Sequence, residues 1–320
     1  MIQRIDLAPL DGITKVVFRQ VWARHFGGAD RYFMPFFSPT DHHTITPRDF
    51  REIDPVVNAN LPSVPQIMSC KAPDFLWAVE RLKEMGYTEV NLNLGCPSGT
   101  VTAKGKGAGM LADPDALDRF LGQVFDGIPC RLSVKTRLGM SAPEEFDRII
   151  PVYNRYPMSE LIIHPRVRAD LYRHPVREQV FRDALPRLNM PVTWNGSIVT
   201  FGDFEACQAN YPQLKGIMIG QGLVSDPALA GKCKGGASCD KDALRAFHDR
   251  LLDAYAVQFE SRNNAFKRMK DIWFYLIRLF ADSEKYGKHI LKSKTYEEYS
   301  AAVSAVFREL MLLTESSGGW

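Results

Sequence analysis

Apolar and polar positions alternate along the first 230 residues in two rhythms. Short runs rich in aliphatic and β-branched residues recur, and between them lie stretches with apolar residues every three or four positions. The runs predict eight strands: Ile5 to Leu10, Tyr32 to Phe37, Val64 to Ser69, Glu89 to Leu94, Arg131 to Thr136, Glu160 to His164, Pro191 to Trp194 and Gly216 to Ile219. Helix starts are legible at Thr14, at Asp113 before Pro114, at Ser141 with Glu144, and at Thr200 with Asp203. Gly27 and Gly86 read as stops. Eight strands alternating with helices over this length predict an α/β chain folded as a (β/α)8 TIM barrel rather than an open doubly wound sheet. Pro9, Gln66, Cys96, Lys135, His164, Asn195 and Gly220 each fall at or just past the C-terminal end of a predicted strand. In a barrel those ends converge on the face where active sites are built.

After Leu229 the rhythm changes. GKCKGGASCDKD is rich in breakers, and Ala243 to Glu260, Asn264 to Ala281 and Tyr296 to Thr314 read as long helices without strands. The expected organisation is a catalytic barrel over 1–230, a Gly-rich linker over 231–240 and an all-helical C-terminal domain over 241–320, with Glu315 to Trp320 frayed. Charge follows the same division. The net +3 conceals 14 basic against 8 acidic residues between Lys232 and Lys294, which leaves 26 basic and 29 acidic elsewhere.

At 320 residues, 45% hydrophobic and 24% charged, the chain can bury a large core, which excludes a disordered chain and a disulfide mini-protein. The sequence has no charge-free apolar run of about 18 residues, and MIQRIDLAPLDG lacks the basic-then-apolar pattern of a leader. A cytoplasmic chain with no membrane partner is expected. The six cysteines then read as free thiols. Cys233 and Cys239 lack a second ligand pair, so no metal is expected. His42 and His43 read as a surface loop.

The densest chemistry lies in NLNLGCPSGTVTAKGKGAGML, Asn91 to Leu111. A strand ends at Leu94, and a rigid Gly-Cys-Pro turn presents Cys96 ahead of a polar glycine-rich loop whose Lys104 and Lys106 bring positive charge. LAPLDGIT, VPQIMS, SVKTRLG, IIHPR, WNGSI and MIGQGL accompany it in order. Together these segments resemble the flavin-dependent tRNA-dihydrouridine synthases, as a divergent bacterial-type member. The resemblance spans the barrel, and FKRMKDIWFYLIRLF resembles the first part of the family's helical domain.

The resemblance implies FMN as cofactor, NADPH as electron donor and tRNA as partner. It assigns the flavin to Ala8, Pro9 and Leu10 against the ring, Gln66 at its pyrimidine end, Lys135 opposite negative charge and His164 nearby. Asn195, Gly196 and Ser197, with Gly220 and Gln221, match the phosphate segments. Cys96 takes the role of general acid, protonating C5 of a uracil while hydride reaches C6, and Asn93 and Arg137 orient the uracil carbonyls. Bringing a stacked uridine to a flavin requires holding RNA, which the resemblance gives to the basic helices, with Lys267, Arg268 and Lys270 on phosphates. A monomer is expected.

Four positions depart from the family pattern. Asn91 replaces an aspartate, Pro165 a glycine, Ser197 an acidic residue and Gln221 an arginine. Two other readings stay open: a flavin barrel reducing a small pyrimidine or enone, and an RNA-binding homologue without catalysis.

Overall fold

A computed structural model of the chain describes residues 4–318. Its sheet contains β1 (Arg4–Leu7), β2 (Arg31–Phe33), β3 (Ser63–Val64), β4 (Gln66–Ile67), β5 (Glu89–Leu94), β6 (Arg131–Arg137), β7 (Glu160–His164), β8 (Val192–Asn195) and β9 (Gly216–Ile219). All pairings are parallel, in the order β3-β2-β1-β9-β8-β7-β6-β5-β4. The two ends of that order, β3 and β4, meet at Pro65, inside the predicted strand Val64 to Ser69. Proline has no N–H to give the ladder, so β3 pairs with β2 while the Pro65 carbonyl turns to accept from the Asn91 N–H at 2.9 Å. Nine short strands therefore make eight staves, and the barrel closes.

Side chains alternate across the wall with the period of a strand. Outward residues such as Leu7, Val90, Leu92, Val134, Ile163 and Ile217 join the main core under the helices. Inward residues form a separate middle layer of Ala8, Phe33, Val64, Ile162 and Met218. Below it, at the strand starts, Arg4 and Arg31 pair with Asp6 and Glu160, and Glu89 joins Arg31 to Arg131. Above it, at the strand ends, lie Gln66, Asn93, Lys135, His164 and Asn195.

Several local expectations are corrected. The first two strands are shorter than the sequence suggests. Thr14 does not cap the helix Val16–His25, because the Glu52 carboxylate takes the Val16 N–H and Thr14 instead bonds the Ala8 carbonyl and the Leu10 N–H. Near Phe146–Tyr153 the capping carboxylate belongs to Glu145, which accepts from Met140, Ser141 and Ala142. Asp113 and the Thr200–Asp203 pair cap as expected.

Beyond β9 the structure is helical. Residues Leu229–Cys233 form a short helix with Lys232 buried on Asp226, and Lys241–Phe259, Arg262–Leu276, Glu284–Lys292 and Tyr296–Glu309 follow. Lys241–Phe259 packs against Val16–His25 of the barrel. Residues 315–318 are tied down rather than frayed: Glu315 accepts from Phe201 N–H, and Ser317 donates to the Arg278 carbonyl. The remaining residues of the terminal expectation, 319 and 320, lie outside the described residues, as do 1–3 of the barrel span. Among the described residues no helix is long and apolar enough to cross a membrane.

Candidate active site

The end of β5 reads EVNLNL, so its asparagines face into the barrel while valine and leucines face out. They join a ladder of amides. Asn91 donates to Ser133 Oγ at 3.0 Å and accepts from Gln66 Nε2 at 2.7 Å, and Gln66 Oε1 accepts from Asn93 Nδ2 at 2.8 Å. Asn93 Oδ1 then accepts from the backbone N–H groups of Gly95 and Cys96, at 3.0 and 2.9 Å. An aspartate at position 91 could not donate to Ser133, so this ladder is built for a neutral amide.

Cys96 is thus held from below, and the glycine-rich loop holds it from above. The Ala108 N–H bonds the Cys96 carbonyl, and a Cβ at Gly107 would come within 3.0 Å of Cys96 Cβ. Burial pushes the thiol up, so it keeps its proton at neutral pH. The cations that face it are Lys135 and Arg137. The expected Lys106 points away to Ser38 Oγ at 2.7 Å, and Lys104 touches Cys70 through its carbonyl.

Four basic groups gather at the neighbouring strand ends. Lys135 has no hydrogen-bond or ion-pair partner among the described residues, and burial followed by Arg137 pushes its ammonium down to about 7. Arg137 is a clamp, donating to the carbonyls of Gly95, Val167 and Leu171 at 2.9–3.0 Å, with Tyr172 against its face. His164 is buried, and burial, Arg137, Lys135 and Arg166 hold it well below its ordinary range. Arg166 Nη1 lies 2.7 Å from His164 Nε2. A guanidinium can only donate, so His164 is neutral with its proton on Nδ1.

Two adjoining hollows open above these groups. Both are lined by Pro9, Leu10, Lys135, His164, Tyr172 and Gln221. The first adds Ala8, Arg166, Asn195, Gly196, Ser197 and Gly220; the second adds Asn93, Cys96, Arg137 and Tyr275. Glycine is required at 222, where a Cβ would lie 2.2 Å from the Ile198 carbonyl oxygen. Gln66 stands apart from this lining, since it is buried with both ends of its amide engaged.

The model of the family described as dihydrouridine synthase matches residues 6–315. The chain belongs to the dihydrouridine synthase family. Membership makes it an oxidoreductase, and the barrel from Asp6 on, its mouth and the helices after β9 lie within the match. The chain is 28% identical over 241 residues to the tRNA-dihydrouridine(16) synthase of Ralstonia nicotianae, covering 73% of each protein. It is 30% identical over 233 residues to a probable tRNA-dihydrouridine synthase 1 of Synechocystis sp., covering 72% of this chain and 64% of that one. With the tRNA-dihydrouridine(16) synthase of Escherichia coli (strain K12) it shares 34% over 160 residues, about half of each. Among solved structures it is similar to TcOYE with pHBA, with a TM-score of 0.55 at 9% identity over 72% of this chain and 88% of that one. Morphinone reductase gives 0.52 at 12%, over 74% and 87%. At such identities these two show the barrel fold alone.

The three basic residues expected on RNA have different surroundings. Lys267 is exposed. Arg268 donates to the Gly12 carbonyl at 2.7 Å and pairs with Asp271, while Lys270 donates to the Ser293 carbonyl at 2.8 Å. Arg268 therefore joins its helix to the β1 loop at the mouth. Sequence reasoning missed Arg166 and Tyr275. Arg166 stands inside the IIHPR segment, but only the fold brings Ser197 to it. Tyr275 joins Gln221 in the lining of the second hollow, which it reaches from the helix Arg262–Leu276. Among the described residues no His, Cys, Asp or Glu group is arranged to hold a metal.

Proposed function

We propose that this chain, as a cytoplasmic monomer, reduces the C5–C6 double bond of uridines in tRNA to 5,6-dihydrouridine, with FMN at the barrel mouth and NADPH as electron donor. One observation carries the reading: a thiol that keeps its proton, Cys96, and a cation without a partner, Lys135, open on the same hollow. The residues fit a flavin. Ala8 to Leu10 and Met218 offer an apolar wall, Lys135 and Arg166 offer positive charge, and Gly220 leaves space where a Cβ would meet Ala8. The alanine-to-leucine wall is rigid because Thr14 pins both of its ends.

FMN held here, once reduced by NADPH, would supply the hydride added at C6. Cys96 supplies the proton at C5, which completes the addition of two hydrogens across the double bond. A thiol suits the step because its proton stays on at neutral pH yet transfers to a carbanion-like carbon. The thiolate left behind faces Lys135 and Arg137, which favour it until solvent returns a proton. Asn93 and Arg137 hold the Gly95–Cys96 backbone and also line the hollow, where their remaining N–H groups can meet uracil carbonyls.

The helices support RNA over a small substrate. They carry the excess of positive charge, and Tyr275 brings one of them into the wall of the hollow itself. Purified protein supplied with FMN, NADPH and unmodified tRNA should form dihydrouridine at defined positions, mapped at nucleotide resolution. No dihydrouridine in that reaction, together with an unchanged map in cells lacking the gene, would overturn the proposal.

A further inference from the structure

The hollow bounded by Asn195–Ser197 and Gly220–Gln221 is lined by two cations among the described residues, Lys135 and Arg166. Position 221 is a glutamine and contributes no charge. Arg166 is 6% exposed. Its Nε donates to the His174 carbonyl, Nη1 to His164 Nε2 at 2.7 Å and Nη2 to Ser197 Oγ at 3.0 Å. All three acceptors are uncharged. No carboxylate among the described residues lies within ion-pair distance of it. Asp170, in the same loop, is paired with Arg177 at 2.9 Å and accepts from the Val167 N–H.

A guanidinium carries five N–H groups and stays charged. Two of Arg166's are left over, and a buried charge without a counterion is costly. Arg19, by contrast, has the Glu52 carboxylate at 3.2 Å. Arg137 donates to three backbone carbonyls, lies against the Tyr172 ring and opens on the Cys96 hollow, away from Asn195–Ser197. Arg166 thus combines burial, spare donors and an opening onto the hollow.

We propose that Arg166 is the cation that receives the phosphate of the flavin mononucleotide, in place of position 221. The inference rests on the flavin reading above and deepens it. Two departures from the family pattern then become one change. A serine where an acidic residue is common leaves the Arg166 charge uncancelled, and a glutamine where an arginine is usual removes charge at the far side. The phosphate end keeps the same net charge with its cation moved across the hollow. Two parallel N–H groups on one phosphate are the geometry a guanidinium offers and an ammonium does not.

The test compares dissociation constants of FMN and riboflavin, which differ by the phosphate alone, by flavin fluorescence quenching with the full chain. Wild type should prefer FMN. Ser197→Asp sets a carboxylate against Arg166, at a position with φ of +51° that aspartate tolerates. It should narrow the preference by about tenfold or more, the scale of one charge-assisted pair, with riboflavin affinity unchanged. Arg166→Gln should do the same, and adding Gln221→Arg to Ser197→Asp should restore most of the preference. Should Arg166→Gln fail to fold, Ser197→Asp with wild-type riboflavin affinity still decides. An unchanged FMN-to-riboflavin ratio in the folded variants overturns the inference. So does a wild type that binds both flavins equally, which leaves the flavin reading standing. A wild type that binds neither overturns both.

Discussion

The two ends of the barrel handle charge in opposite ways. At the strand starts, Arg4, Arg31 and Arg131 face Asp6, Glu89 and Glu160, and every cation has a carboxylate at 3.4 Å or less. At the strand ends, Lys135 has no partner, Arg166 has only neutral acceptors, and His164 is forced to stay neutral. Both ends are largely buried, so dielectric surroundings do not explain the difference. A closed network stabilises the fold only while it is complete. An open one is a standing cost to the fold, consistent with a site whose counterions arrive with a ligand. The contrast separates a face that holds the barrel together from a face that does chemistry.

The largest effect should come from the mouth and should appear only in turnover. Cys96→Ala is expected to retain flavin and the wild-type melting temperature while dihydrouridine formation falls by roughly 10²–10⁴-fold, the scale of a lost general acid. Turnover at the wild-type rate would remove the acid role. At the other end the readouts exchange places. Glu160→Gln leaves Arg4 and Arg31 short of a shared carboxylate, and the expected cost is about 3–5 kcal/mol of stability, read by urea unfolding, with flavin affinity unchanged. A variant that lost flavin but not stability would erase the distinction between the ends.

How much of this contrast the sequence displays depends on the range of the interactions. Barrel rhythm, the Gly-Cys-Pro turn and the residues at the strand ends are visible because strand alternation and glycine placement are local signals. The inward asparagines can be read directly from the alternation in EVNLNL. The division at Pro65 is local too, but a strand run containing one proline looks continuous until its two neighbours are known. Glu52 capping a helix that begins 36 residues earlier leaves no nearby trace. Arg166 and Tyr275 are invisible for the same reason, since Ser197, to which Arg166 donates, and the hollow that Tyr275 lines are brought to them from distant parts of the chain. The helix Glu284–Lys292 is obscured by its charge and by Gly287, whose missing side chain lets Ile277 pack close.

Lys135 allows the contrast to be tested by titration. Its folded-state pKa is lowered from 10.5 to about 7, so between those values the unfolded chain binds more protons and stability rises with pH. In flavin-free protein, wild type should gain stability from pH 7 to pH 10 relative to Lys135→Met. The variant should be at least as stable as wild type at pH 7, opposite in sign to Glu160→Gln. Equal pH profiles for the two proteins would mean that Lys135 is paired after all, and the mouth would then resemble the closed end.

The smallest effect is expected outside the barrel. Of the three basic residues on Arg262–Leu276, Arg268 and Lys270 already donate to backbone carbonyls, at Gly12 and Ser293, which leaves Lys267 exposed beside them. A cation with an internal partner releases fewer counterions when it meets a phosphate, so the three should not count equally. Lys267→Gln should lower the slope of log affinity for tRNA against log salt by about 1 and weaken binding less than tenfold at moderate salt. Lys270→Gln should lower the slope by less, and both should leave FMN affinity untouched. An unchanged slope in Lys267→Gln would take this helix face out of the RNA footprint and leave Tyr275 as the contribution of the helix to the site.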